Sequence, residues 1–416
     1  MKLKHTLAAL CAGHFALSPV FAAELPVGTV ISAANYEQVK NDTFAGKTIA
    51  SMVPEVVEYR IKNWGLKVTL DNAKPLEPDP SYVAATKKYS GDVKFDPKTG
   101  EVTNYRAGMP FPDITMDDPY AGNKLLWNFY YAPMEGNRTW MTFGYLLVDG
   151  GKGVERTQDW FFTRYGLKGM LDRDNPVEGD STVLTKSIIV ATAPRDVRGL
   201  GLFTIRNDSA AMENSWAYIK SARRTRQVSG GAWMDPIGGT DQLNDDLYLW
   251  NARPSSYPKY KILAKRWILA ISDAPSGWNS SKKGTLEEYP LVDQKTAPFW
   301  NSLHKWQPRE VYVVEATAPA EHPYSKKVVY IDANVPKIYM IDIYDKQGKL
   351  WKHHIANIGL VKGEDGYKAI SASLGSTIVD FKLKHATVFV GQKLRINPKG
   401  MKATDVSLEA LESNSQ

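Results

Sequence analysis

Cysteine is almost absent. The chain holds one, Cys11, inside an N-terminal stretch that reads as a removable leader. The remainder can therefore form no internal disulfide, no thiolate nucleophile and no cysteine metal site. Long apolar runs are missing too: after the leader no segment approaches the roughly 18 uninterrupted apolar residues that a membrane helix needs. Histidine is scarce. Beyond the leader only His304, His322, His353, His354 and His385 remain, and His353-His354 would point to opposite faces of a strand, a poor chelating arrangement. No G-x-S-x-G elbow, phosphate loop, H-E-x-x-H helix or dinucleotide fingerprint occurs. The expectation is a non-enzymatic chain with no metal and no cofactor.

The leader has three parts. Lys2, Lys4 and His5 are basic, Leu7 to Leu17 is mostly small and apolar, and Ser18-Pro19 breaks the helix before Val20-Phe21-Ala22. That pattern is a secretory signal peptide, with cleavage expected after Ala22 and Ala23 as the neighbouring choice. Leu10 stands before Cys11 where a lipoprotein signal needs a small residue, which argues against lipidation. The expected location is the periplasm, and the organisation is a signal peptide at 1–22 followed by one domain over 23–416.

Aromatic side chains are plentiful, with 12 tryptophans, 21 tyrosines and 13 phenylalanines. Such rings fill large cores, line apolar cavities or stack on sugars. Formal charge is +7; the leader takes Lys2 and Lys4 and no acid, leaving +5. The surplus is scattered, and runs such as Arg223-Arg224-Thr225-Arg226 are short and read as a solvated strand face. Nucleic acid is not an expected partner. Contact with anionic lipid headgroups, and with it peripheral association at the outer membrane, fits better.

Ile49, Met52, Val53, Val56, Val57 and Ile61 follow helical spacing and predict one amphipathic helix, with Pro54 in its first turn. Asp79 to Tyr89 predicts a helix capped by Asp79, and Asp118 to Tyr131 another that carries Leu125, Leu126, Trp127 and Phe129. A hairpin is expected around Asp96 to Gly100. From about residue 138 the chain turns strand-rich. Expected strands are 140–148, 160–165, 183–191, 200–205, 216–219 and 224–228, with a tight turn at 220–222. A helical patch at 242–250 and strands at 259–272, 310–317, 327–332, 337–344 and 350–358 follow. The short connections among the last four force antiparallel neighbours, and so large a meander curls.

Trp216-Ala217-Tyr218-Ile219, the basic residues to Arg226, Gly238-Gly239-Thr240-Asp241 and Asn244-Asp245-Asp246-Leu247 together resemble the LolA-like class of periplasmic lipoprotein-sorting proteins. In physical terms Asp245 or Asp246 can accept backbone N–H bonds at a helix start, and Arg224 or Arg226 is within sequence reach as an ion-pair partner. The wider match covers nearly the whole chain beyond the leader. It runs through Gly108-Met109-Pro110-Phe111-Pro112, Leu126-Trp127-Asn128, 311–317, 322–332 and 341–351. These segments resemble the domain-of-unknown-function 1329 family of Gram-negative secreted proteins. The N-terminal Pro-x-Trp-x-Gly element of many members is missing near 30–48.

The resemblance implies an α+β fold, mainly antiparallel β: a curved, incomplete LolA-like barrel with helices over its concave face and an apolar cavity between. It also implies genomic company with permeases of the resistance-nodulation-division type and with an outer-membrane-type family. On that fold the first cavity-lining candidates are Trp127 and Phe129 on the helix from Asp118, Trp216 and Tyr218 on one strand face, and Trp233 and Trp250 beside the central patch. The expected function is to bind or carry a hydrophobic, lipid-like molecule beside an inner-membrane permease and an outer-membrane channel. The alternative is an accessory subunit of such a complex with no ligand of its own.

Overall fold

The computed structural model describes residues 22–132, 135–211, 213–220, 223–228 and 233–415. The leader up to residue 21, including Cys11, and the Ser221-Ala222 turn lie outside the described residues. Two antiparallel meanders dominate. The first contains β1 (Arg138–Asp149), β2 (Gly153–Gly166), β3 (Val183–Ala193), β4 (Gly201–Asn207), β5 (Asn214–Ile219) and β6 (Arg224–Val228). The second contains β7 (Lys259–Ala270), β8 (Lys305–Thr317), β9 (Lys326–Asp332), β10 (Ile338–Tyr344), β11 (Leu350–Lys362), β12 (Lys368–Asp380) and β13 (His385–Ile396).

The expected antiparallel run of four strands is present as β8 to β11, and β10 hands over to β11 through the turn between Tyr344 and Leu350. Sequence reasoning missed β12 and β13, which join the two meanders into one sheet. The last strand, β13, pairs with β1 from His385 opposite Asp149 to Ile396 opposite Thr139. A bulge follows Gly391 in this pairing. A Cβ there would stand 2.1 Å from the Ser373 carbonyl oxygen, so only glycine allows the backbones this close.

The joined sheet has 15 strands among the described residues. β6 ends one side. At the other, Val30–Ile31 pairs with the short strand Val68–Leu70, which runs parallel to the start of β8, and β7 covers the rest of β8. The sheet stays open: a curved, mainly antiparallel, incomplete barrel.

The helices of eight residues or more among the described residues are α1 (Glu55–Trp64), α2 (Pro80–Tyr89), α3 (Ala121–Tyr131) and α4 (Leu408–Ser415). The single helix expected from Ile49 to Ile61 is in fact two pieces, a turn at Ile49–Met52 and then α1, because Val53 is extended ahead of Pro54. Proline's ring pushes the preceding residue out of the helical region. α2 begins as expected, with the Asp79 carboxylate accepting from the Ser81 N–H at 2.8 Å. The helical patch expected at 242–250 is a correction: it holds only a short 3₁₀ turn at Asn244–Asp246 within irregular chain.

Both faces of the first meander are used. Tyr165, Ile188, Val190, Phe203 and Tyr218 pack on one face against Leu411 of the unexpected α4. The other face carries Phe143, Tyr145, Trp160 and Phe162. Between the sheet and the N-terminal segments lies a larger core that joins Ile31, Val57 and Ile61 to Val314, Val329 and Ile341.

Candidate ligand cavity

The concave face of the first meander borders a cavity of about 750 Å³. This volume falls within the roughly 300–1,000 Å³ of small-molecule sites. Register builds its floor. Side chains two residues apart on a strand share a face, and cross-strand partners stand side by side. One row across β2 to β5 is therefore Phe162, Ile189, Leu202 and Ala217, each paired to the next. The adjacent row is Arg164, Ser187, Thr204 and Ser215. All eight side chains line the cavity. An apolar stripe and a polar stripe thus run in parallel, with Trp160, Phe143 and Tyr145 beyond the apolar one.

The cover comes from irregular chain between β6 and β7, which sends Trp233, Tyr248, Leu249 and Trp250 into the cavity wall. Tyr248 and Leu249 both have left-handed backbone, with φ of 55° and 74°. Each such residue costs about 1–2 kcal/mol when it is not glycine. A buried ionic knot just before them holds the turn in place. Lys327 Nζ stands 2.8 Å from Asp245 Oδ2 and 2.9 Å from Asp246 Oδ1. Tyr257 and Tyr324 donate their hydroxyls to Asp245 and Asp246, each at 2.6 Å. Asp245 also accepts from the Ala252 N–H at 3.1 Å, and Asp246 from the Leu243 N–H at 2.9 Å.

Burial alone would raise both carboxyls, but the Lys327 charge, joined by the His322 contact on Asp245 and by the Lys352 charge and Tyr324 hydroxyl on Asp246, outweighs it and holds both below the usual carboxylate range. A second tie secures the start of the cover. Asp241 takes His385 at 2.8 Å and the Thr387 hydroxyl at 2.7 Å, and Lys352 donates to the Asp241 carbonyl at 2.6 Å. The Asp241 hydrogen bond raises the His385 imidazole above its ordinary value.

The sequence-derived candidates divide. Phe129, from α3, lines the cavity with Trp233 and Trp250. Trp127 does not: it is fully buried beside the cavity, stacked on Tyr131, with its indole N–H on the Gly100 carbonyl at 2.9 Å. Trp216 and Tyr218 do share a face, but it is the face turned to α4. The alternation that puts Ser215 and Ala217 in the cavity puts these rings on its far side. The suggested pairing of Arg224 or Arg226 with Asp245 or Asp246 is also corrected. Both arginines are exposed on the edge strand β6, and Lys327 faces both acids.

Other site residues escaped the sequence reading. The two-residue spacing of Phe143 with Tyr145, and of Trp160, Phe162 and Arg164, was a signal available in the strands already identified. Lys327 gave none, because its partners lie far away in sequence.

The described residues contain no group of three or more His, Cys, Asp or Glu side chains able to hold a metal ion, and no helix long and apolar enough to cross a membrane. His353 and His354 are buried on β11. His353 lies 3.6 Å from Asp342, and His354 faces the Ser376 hydroxyl at 3.1 Å.

A family model described as a protein of unknown function, DUF1329, matches residues 30–410. No curated protein matches the chain. Among solved structures the chain resembles a DUF1329 family protein from Desulfovibrio piger, with 17% identity, 71% of this chain and 99% of that one covered, and a TM-score of 0.48. It also resembles a LolA superfamily protein from Nitrosomonas europaea, with 12% identity, 66% and 91% covered, and a TM-score of 0.38.

Proposed function

The chain belongs to the DUF1329 family of proteins of unknown function, and from that premise we propose that it binds and carries a hydrophobic, lipid-like molecule. The observation that carries this reading is the aromatic-lined cavity of about 750 Å³ under an anchored cover. Each CH₂ moved from water into such a site contributes about 0.8 kcal/mol. A chain of about ten carbons then gains on the order of 8 kcal/mol, before the cost of ordering it. Phe129, Trp233 and Trp250 are the members of the sequence-derived set assigned to the ligand.

Residues 23–416 act as one unit, since the N-terminal Ile31 and Val57 share a core with Val329 and Ile341. The leader at residues 1–22 directs the chain to the periplasm, where it serves envelope transport with a permease of the resistance-nodulation-division type.

The test is titration of the leaderless protein with N-phenyl-1-naphthylamine, a neutral hydrophobic fluorophore, beside lipid extraction of protein recovered from its native envelope. Saturable one-to-one binding and a co-purifying apolar molecule are expected. Absence of both would overturn the reading.

A further inference from the structure

The cavity's cations are unequally provided for. Lys168 is paired with Asp208, Arg206 with Glu213, and Arg253 with Glu101 through three hydrogen bonds. Arg206 and Arg253 also lie over the Tyr130 ring, at 5.2 and 5.7 Å from its centroid. Arg164 lines the same cavity, yet among the described residues its side chain makes no hydrogen bond and no ion pair. Glu135 is an acid close enough to influence it, but not within ion-pair contact. Glu135 Oε1 is already occupied by the Ala372 and Ser373 N–H groups at 3.1 and 3.0 Å. Arg164 is half-buried, and that burial pulls its guanidinium below its ordinary value, the direction expected of a cation that has lost part of its hydration without gaining a full partner.

Position makes this more than a lone charge. Arg164 heads the polar row of the cavity floor, beside Ser187, Thr204 and Ser215. Two residues away on the same strand, Phe162 heads the apolar row. The Thr204 and Ser215 hydroxyls face each other at 3.1 Å, and the Ser187 hydroxyl lies one strand nearer Arg164. The floor therefore offers a guanidinium with hydroxyls beside it at one end, and leads to Phe143, Tyr145 and Trp160 at the other. A wholly apolar ligand would bury the polar row against hydrocarbon, leaving its groups poorly satisfied.

We propose that the ligand is an amphiphile with an anionic head, a carboxylate or phosphate monoester, which Arg164 receives at the polar row while the tail lies along Phe162 and Trp160. A guanidinium fork matches either head with two parallel hydrogen bonds. This inference rests on the hydrophobic-carrier reading and adds a charge preference to it.

The experiment compares three probes of one chain length, hexadecanoate, hexadecyl phosphate and neutral hexadecanol, on the leaderless protein and on Arg164→Gln, with thermal melting of both proteins alongside. The expected result is that at least one anion binds the unsubstituted protein at least tenfold more tightly than the alcohol. In Arg164→Gln that preference collapses to within about twofold. The two anions distinguish the heads: preference for hexadecanoate alone assigns a carboxylate, for hexadecyl phosphate alone a phosphate. Equal affinity for all three in the unsubstituted protein overturns the anionic head while leaving the hydrophobic carrier standing. Binding of none of them overturns both. A preference that survives intact in a folded Arg164→Gln also overturns the assignment. Should Arg164→Gln fail to melt cooperatively, Arg164→Lys keeps the charge but loses the fork. A reduced preference there supports the proposal, and an unchanged one overturns it.

Discussion

Lys327 holds Asp245 at 2.8 Å with neither side chain reaching solvent, although 82 residues separate them in sequence. The pairing fixes irregular chain onto the β-sheet. Asp245 belongs to the segment that covers the cavity, and Lys327 to β9. The strained residues Tyr248 and Leu249 follow directly. Without a clamp, their left-handed backbone would relax, and the rings of the cover would lose their aim.

Replacing Lys327 with methionine leaves Asp245 and Asp246 buried without their cation. Removing one partner of a buried ion pair costs about 3–5 kcal/mol. The K327M protein is expected to lose stability by that amount in urea unfolding. Amide exchange should quicken from 243 to 252, where the backbone is held through these acids. A loss below about 1 kcal/mol would mean that the knot is not what holds the cover down.

Stability should depend on pH in three separable ways. Asp245 and Asp246 titrate below the ordinary carboxylate value of 3.8 when folded, so their contribution is present above that value and lost as pH falls through the lowered ones. Asp342, buried beside Tyr330 and His353, is pushed the other way, to about 7. Its folded form retains the proton more tightly, so stability declines as pH rises from about 4 to about 7. His385, raised by Asp241 with Glu155 and Asp149 nearby, contributes fully below its ordinary 6.5 and loses that contribution as pH rises through its raised value. Melting temperatures across pH 3–9 check the last two, and extending the scan to about pH 1.5 checks the first. Asp342→Asn should flatten the section between pH 4 and 7, and His385→Asn the section above 6.5. A profile unchanged by both substitutions would rule out these assignments.

Asp79 joins the N-terminal region to the sheet by more than capping α2. Its carboxylate accepts from the Ser81 N–H and hydroxyl at 2.8 and 2.6 Å, and from the Lys368 N–H at the start of β12 at 2.9 Å. Asp79→Ala should cost about 1 kcal/mol for the cap, and somewhat more for the lost bond to β12. A chemical-denaturation series reads this directly, and a neutral result would show that water replaces the carboxylate at no cost.

What could be read from sequence divides along physical lines. The β8 to β11 run was legible because alternation and short turns are local, and the Asp79 cap was legible for the same reason. The β13 to β1 seam was not, since two strands separated by more than half the chain leave no local mark of their pairing. The helix expected over 242–250 failed because apolar spacing there serves a cavity wall instead, with the backbone set by a distant lysine. Trp216 and Tyr218 were correctly placed together on one face. Which face could not follow from their spacing, because α4, arriving from the far C-terminus, makes the opposite side of the sheet a core as well.

That last ambiguity supplies the most direct test of the cavity. Phe162 and Trp216 sit on the same sheet and point in opposite directions, Phe162 into the cavity and Trp216 onto Phe203, where the rings stack at 5.5 Å. Truncating either to alanine removes a large packed ring, buried at Phe162 and half-buried at Trp216, and such changes cost up to about 3–5 kcal/mol, so stability alone cannot tell them apart. Binding can. In Phe162→Ala the apolar row loses its head, and affinity for N-phenyl-1-naphthylamine should fall about tenfold. In Trp216→Ala the probe should bind within about twofold of the unsubstituted protein, measured well below the melting temperature of both variants. The comparison is internally controlled, because general loosening of the sheet would weaken both. Equal losses would mean that the probe reports the sheet's integrity and not its concave face. A larger loss in Trp216→Ala would move the binding site to the α4 side and reverse the orientation of the sheet with respect to its ligand.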